Sequence, residues 1–268
     1  MGKKKKTIKF CVVGMGFIFS RHKQSIEAIG GEVSLTCDID ESKSPMFTDW
    51  MEMFDHPSFN EITHVSICTP NYLHSVISRE AILRGKKVLC EKPLSINNTV
   101  MMDDVKTVMQ LRYHPSLQSI NKPKNVHVEA KMFRDDKYWD SWKGNVVKSG
   151  GVLFNLGVHY IDLLIFLLGD SWEILEVNKD KKYVSGKIRF QDSIATFHVE
   201  AVDSRENQGR KLIADGKEII LSNQDNLSYE DLHTEVYKDF VSGGGVNLKE
   251  VEKSIKLIKS ILKHENTM

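Results

Sequence analysis

The sequence predicts an α/β protein of two parts, a doubly wound parallel sheet over residues 1–113 and an α+β unit with an open, mostly antiparallel sheet over 114–268. Three observations predict it. Four short β-branched runs, KFCVVG, VSLTCD, HVSICTP and KKVLCEKP, each carry one of the four cysteines, with helical patterns between most of them, which is how βα units read. Gly14-Met15-Gly16 follows the first run and opens a helix, as the first turn of a Rossmann sheet does. Beyond residue 113 the apolar period becomes two, in NVHVEAKMF, EILEVNK, KYVSGKIRF, SIATFHVEA and RKLIADGKEIIL.

The elements follow in order. Strand one is Ile8 to Val13, its helix ends at Gly30-Gly31, and strand two is Val33 to Cys37. FTDWMEMFDHPSF reads as a short strand or turn plus a helix. After His64 to Cys68 comes a helix from Tyr72 to Arg84, with Leu73, Val76, Ile77, Ala81 and Ile82 on one face and Gly85 as its stop. Lys87 to Cys90 is the next strand. Only 14 residues, Leu94 to Thr107, separate Pro93 from Val108, so the crossover there predicts a stunted helix such as Thr99 to Lys106. In the second part, Asp215-Gly216 marks a two-residue hairpin. A greasy helix spans Gly151 to Leu168, and a last helix starts at Asn247, capped through Glu250, with Val251, Ile255, Ile258 and Leu262 as its apolar stripe.

Composition excludes several classes of function. Lys plus Arg number 37 against 36 Asp plus Glu, a net charge of +1, so no global basic field holds nucleic acid or an anionic membrane. Any anion must be held by a local cluster. The most apolar stretch, Leu163 to Leu168, is far short of the ~18 residues of a membrane span. MGKKKKTIKF lacks the apolar core of a signal peptide, so the expected location is cytoplasmic. No Cys-x-x-Cys occurs, and the cysteines read as buried thiols rather than metal ligands.

Three motifs carry chemistry. Gly14 and Gly16 let the backbone approach a pyrophosphate at a helix N-terminus, although Phe19 replaces the third glycine of the dinucleotide fingerprint. Asp38 ends strand two at the spacing of a carboxylate that accepts from a ribose 2′-hydroxyl, which favours NAD over NADP; Asp40 is a second candidate. Lys92 stands at the carboxyl end of a parallel strand, where ligands bind in such sheets. On one helix Asn155, His159 and Asp162 fall at i, i+4 and i+7 and share a face.

GMGFIFSRH, CTPNYLH at 68–74 and CEKPLS at 90–95 resemble the glucose-fructose oxidoreductase and inositol dehydrogenase (Gfo/Idh/MocA) family of nicotinamide enzymes. The resemblance implies NAD contacts from Gly14, Gly16, Phe17, Ile18, Asp38, Thr69, Pro70, Asn71, His74, Glu91 and Lys92, a cis Lys92-Pro93 peptide, and a lysine at Lys92 that reaches the reacting hydroxyl. The family's Asp-x-Gly-x-His-x-x-Asp begins here with Asn155, and an amide takes no proton, so the base is His159 or Lys92. That asparagine, with YWDSWKGN at 138–145, MQLRYHP at 109–115 and DLHT at 231–234, resembles the UDP-N-acetylglucosaminuronate 3-dehydrogenase branch. It implies a UDP-sugar substrate, a 2-keto acid for cofactor recycling, and a homodimer or homotetramer. Arg112, Trp142, Lys143 and Lys148, with Asn155, His159 and Asp162, are the expected substrate contacts. Competing readings are an inositol or free-sugar oxidoreductase and a non-catalytic NAD-binding sensor.

Overall fold

The computed structural model describes residues 7–96, 104–219, 221 and 229–266. Two six-stranded sheets organise them. The first contains β1 (Lys9–Val13), β2 (Glu32–Cys37), β3 (His64–Ile67), β4 (Lys87–Cys90) and β5 (Val105–Thr107), all parallel, in the order 2-1-3-4-5. Helices α1 (Phe19–Ala28), α2 (Trp50–Asp55) and α3 (His74–Leu83) connect them. The order reverses between β1 and β3, and such a switch point opens a crevice at the strands' carboxyl ends. Gly14, Asp38 and Glu91 sit there because each directly follows its strand, and Thr69 because it lies two residues past β3. Strands β1, β3 and β4 are buried on both faces, which is why they read as near-continuous apolar runs.

The second sheet is built from β6 (Asn125–Phe133), β7 (Trp172–Lys179), β8 (Tyr183–Phe190), β9 (Ser193–Val202), β10 (Gly209–Ala214) and β11 (Lys217–Ile219), in the order 11-10-6-9-8-7. All its pairs are antiparallel except β6 with β9. Asp215 and Gly216, both at positive φ, make the expected tight hairpin. Short helices α4 (Pro115–Gln118), α5 (Asp136–Asp140), α6 (Val146–Ser149) and α7 (Gly151–Asn155) precede α8 (Val158–Leu168). Val126, Val128 and Ala130 of β6 join one apolar core with α8 and α10 (Leu248–Lys263). The alternate residues, His127, Glu129 and Lys131 with Thr196, His198 and Glu200, are half-buried and polar, and His127 bonds Thr196 at 2.8 Å. The apolar residues of this sheet are therefore spent on the helices of the same chain.

Three elements depart from the sequence reading. Val105–Thr107 is a strand rather than the end of a helix, since β4 offers it a parallel edge; residues 99–103 of the expected helix lie outside the described ones. The helix expected over 151–168 is two, α7 and α8, separated at Leu156-Gly157, and the segments 146–155 and 158–168 meet at 49°. A Cβ on Gly157 would lie 2.8 Å from the Leu153 carbonyl oxygen, so the break needs this glycine. Finally, the chain does not divide cleanly at residue 113. Helix α9 (Tyr229–Ser242) lies against α1, and β12 (Val246–Asn247) pairs antiparallel with β5. Val236, Tyr237 and Phe240 of α9 cover Phe10, Val12 and Leu89 of the first sheet. The capping box of α10 is as expected, with Asn247 and Glu250 bonding reciprocally.

Arg112 and Asp162, expected among the substrate contacts, form a buried ion pair with each other. Arg112 Nε and Nη2 donate to the two Asp162 oxygens at 2.7 and 2.8 Å, Nη1 reaches Glu250 at 2.8 Å, and the Ser254 hydroxyl donates to Asp162 at 2.7 Å. With Asp162 1% exposed, the two-pronged pair locks α8 and α10 to the 110–113 turn. Arg112→Ala strands a buried carboxylate and is expected to lower stability by about 3–5 kcal/mol in denaturant titrations, whereas Arg112→Met with Asp162→Leu recovers most of that loss.

Candidate functional site

The crevice of the first sheet has the shape a dinucleotide needs. At Gly14 (φ +97°) a Cβ would stand 2.6 Å from the Cys68 carbonyl oxygen, so only glycine lets β1 turn against the end of β3. At Gly16 a Cβ would meet nothing within 4 Å, which leaves open space over the start of α1. No side chain caps that helix, so its first turn is available to an anion. Asp38 accepts from Met15 N–H at 2.6 Å and Asp40 N–H at 2.9 Å, and Lys43 pairs with it at 3.0 Å. Asp40 is spent on Ser42, so of the two carboxylates Asp38 is the one built into the crevice. Ile39, 90% exposed, and Phe17, 86% exposed, are apolar groups left bare at its mouth, as a flat base would require.

The loop after β3 serves structure more than was expected of it. The ring of His74 sits between the carbonyls of Pro93 (2.7 Å) and Thr69 (2.8 Å), 1% exposed, and joins two crevice loops. Asn71 Nδ2 donates to the Ser149 carbonyl at 2.8 Å, tying this loop to the α6–α7 segment. Thr69 Oγ1 is buried with no hydrogen-bond partner, while Pro70 caps the short turn 71–73.

Lys92 and His159 come together where the two sheets meet. The Lys92–Pro93 peptide is cis, and Lys92 Nζ lies 3.4 Å from the Asn155 carbonyl. Burial pulls the Lys92 ammonium down from the ordinary lysine range, Glu91 opposes that, and Arg134, Lys143 and Arg210 add to the depression. Burial likewise holds His159 well below the ordinary histidine range, with the Lys92 charge pushing the same way. His159 is therefore a neutral imidazole at neutral pH. Its Nδ1 is buried without a hydrogen-bond partner, an acceptor or donor left for something else. Asn155 does not stack with His159 and Asp162 on one helix face, because the break at Gly157 separates them. Its side chain donates to the Tyr138 hydroxyl at 2.6 Å and lies 3.5 Å from Asn71, so it fixes neighbours rather than protons.

Arg134 and Arg210 were absent from the sequence expectations. Arg134 follows the end of β6, its guanidinium 5.1 Å over the Tyr138 ring, and its Nε is buried without a partner. Burial lowers its pKa, and Arg210 across the sheet adds to that. Lys143, lowered by burial and by Arg134, lies 6.0 Å from the Tyr138 ring and 5.9 Å from Trp142. Lys92, Arg134, Lys143 and Arg210 thus crowd like charges whose mutual repulsion an anion would relieve. Lys148 is exposed over Tyr72 at 5.6 Å, at the rim. No local signal marks Arg134 or Arg210 in the sequence; each is a strand-end arginine until the sheet registers them beside Lys92.

Residues 8–112 match the NAD-binding Rossmann-fold domain of the GFO_IDH_MocA oxidoreductase family, and residues 117–186 match its C-terminal alpha/beta domain. The chain belongs to this family of NAD-linked oxidoreductases. Two crystal structures of the WlbA (WbpB) dehydrogenase from Thermus thermophilus, one with NAD and UDP-GlcNAcA and one with NAD and alpha-ketoglutarate, superpose with a TM-score of 0.82 at 25% identity, covering 98% of this chain and 97% of theirs. The myo-inositol 2-dehydrogenase of Lactobacillus plantarum shares the fold at 16% identity and a TM-score of 0.77, with 96% of this chain and 97% of that one covered. Among curated relatives, the inositol 2-dehydrogenase/D-chiro-inositol 3-dehydrogenase of Lactiplantibacillus plantarum is 24% identical over 65% of this chain and 56% of its own length. The levoglucosan dehydrogenase of Pseudarthrobacter phenanthrenivorans is 28% identical over 46% of this chain and 36% of its own length. The chain matches about half the length, or less, of these curated relatives.

Gly14→Ala drives a methyl group into the backbone at the end of β3, and relieving it moves the loop that a pyrophosphate rests on. Strain of about 1–3 kcal/mol predicts NAD affinity reduced roughly tenfold or more by calorimetric titration, with the far-ultraviolet circular dichroism unchanged.

Proposed function

We propose that this chain is an NAD-dependent dehydrogenase of an anionic nucleotide sugar, a UDP-N-acetylglucosaminuronic acid, which it oxidises at the C3 hydroxyl. The observation that carries the reading is the cluster Lys92, Arg134, Lys143 and Arg210, gathered around a neutral buried histidine in a protein of net charge +1. An uncharged inositol brings no charge to meet Arg134 and Lys143, whereas a carboxylate and a diphosphate do. The likeness to the Thermus enzyme crystallised with UDP-GlcNAcA supports it, and the structure of that enzyme with alpha-ketoglutarate supports a 2-keto acid as the partner that recycles the cofactor.

When bound, NAD supplies the hydride acceptor. His159, neutral at working pH, takes the proton of the C3 hydroxyl, and Lys92 donates a hydrogen bond to the same oxygen so that negative charge building there is stabilised. Arg134 and Arg210 hold the acidic groups, Lys143 with Trp142 borders the nucleotide side, and Lys148 stands at the entrance. Tyr138 and Asn155 keep the walls in place by their 2.6 Å hydrogen bond.

Mixing the protein with NAD and a panel of UDP-sugars, inositols and free sugars while following reduced-nicotinamide absorbance tests this directly. Reduction is expected with the UDP-uronate and to fall by about 10²-fold or more in Lys92→Ala and in His159→Asn, with NAD binding retained in both. A signal from inositol alone sinks the proposal. Because His159 is held below the ordinary histidine range, it stays unprotonated further into acid, so the acid limb of kcat/KM is expected below about pH 6.5.

A further inference from the structure

Behind Lys92 lies a buried polar chain that the proposed chemistry does not use. Glu91, 8% exposed, ends β4, and its Oε2 accepts the Lys92 backbone N–H at 3.2 Å. Its Oε1 lies 3.0 Å from His22 Nε2 of α1 and 3.8 Å from His233 Nε2 of α9. His22 Nδ1 lies 2.7 Å from the Tyr237 hydroxyl of α9, which in turn lies 2.7 Å from the Ser66 hydroxyl of β3. His22, His233, Tyr237 and Ser66 are all buried.

The protons of this chain can be placed by elimination. An ionised carboxylate only accepts, so His22 donates from Nε2 to Glu91. Burial keeps His22 neutral, so its Nδ1 must accept, and the proton between it and Tyr237 belongs to the tyrosine. The Tyr237 oxygen, having donated its proton, accepts that of Ser66. The three ring and carboxylate atoms of His22, Glu91 and His233 lie within 4.8 Å of one another, but the 3.0 Å contact is a hydrogen bond and both His22 nitrogens are engaged, so the arrangement is a directed relay.

We propose that Ser66, Tyr237, His22 and His233 form a positioning relay that holds Glu91 as a buried anion, and that this anion keeps Lys92 protonated and aimed into the cleft. The inference rests on the reading of Lys92 as the group that polarises the substrate oxygen. Burial alone would raise the Glu91 carboxyl; the hydrogen bond from His22, with His233 3.8 Å away and the nearby Lys92 charge, brings it well below the usual carboxylate range. Other groups around the pair oppose or ignore this effect. Arg134, Lys143 and Arg210 from the second sheet's side disfavour the Lys92 ammonium, and His159 of α8 and His74 of α3 are held below the ordinary histidine range by burial. Cys68 of β3 stays a thiol and Tyr237 a phenol, both pushed well up by burial. Glu91 is thus the anion that answers Lys92, and two of its supports come from α9, the helix that returns from the second half of the chain.

The test reads the Lys92 amine without any sugar. The full-length protein is trace-labelled with acetic anhydride across a range of pH, and the Lys92 peptide is quantified by mass spectrometry. Glu91→Gln keeps the shape and removes the charge, so the labelling midpoint of Lys92 is expected to fall by about one to three pH units. Tyr237→Phe removes one donor and is expected to lower the midpoint by a smaller step in the same direction, with NAD affinity within threefold of the parent. Unchanged midpoints in folded Glu91→Gln overturn the role of the anion, and an unchanged midpoint in Tyr237→Phe overturns the relay behind it, even if Glu91→Gln fails to fold. Absence of nicotinamide reduction in the parent protein would instead count against the substrate reading and leave these midpoints as they are.

Discussion

A carboxylate in a protein interior persists as an anion only where donors surround it, and the placement of Glu91 at the end of β4 makes that requirement the centre of the molecule. Its donors come from His22 of α1 and from the backbone of Lys92, and α9 stands behind them through Tyr237, bonded to His22, and His233, 3.8 Å from Glu91, so three segments far apart in sequence are held to one point. Because α9 also covers the apolar face made by Phe10, Val12 and Leu89, the polar contact and the packing act together. Lys92, the next residue, inherits its position from both.

The electrostatics of the cleft are arranged in two layers. Behind, the Glu91 anion faces neutral groups; in front, Arg134, Lys143 and Arg210 crowd around Lys92. Burial sharpens the effect at Glu91, Lys92 and Arg134, since a low dielectric makes each charge felt further than in water, while Arg210 is exposed. A neutral His159 between these layers can take a proton without first having to lose one. An overall charge of +1 conceals this polarity, because it averages over a surface whose charges largely pair.

Much of the architecture was legible in the chain. Strands β1 to β4 announced themselves as apolar runs because a parallel sheet buries both faces, and β6 to β11 by their alternation. Gly14, Asp38 and Lys92 were readable as ends of strands, and Asn247 with Glu250 as a helix start. The misreadings share a cause. Asn155, His159 and Asp162 fit a single helix by spacing, yet Gly157 breaks it and Arg112 claims Asp162. A spacing rule places side chains only as long as the helix continues.

Sequence by itself determined the two sheets and the glycine turn of the crevice, because these depend on local periodicity and on residues that immediately follow a strand; Lys92 and His159 were joined only through the family resemblance. Only the tertiary structure decided which charges share the cleft and which groups stand behind Glu91. Arg134 and Arg210 meet through sheet register, and Tyr237 and His233 reach β4 only because α9 folds back over the first sheet. Contacts between residues so far apart along the chain are made by packing, and no local pattern records them.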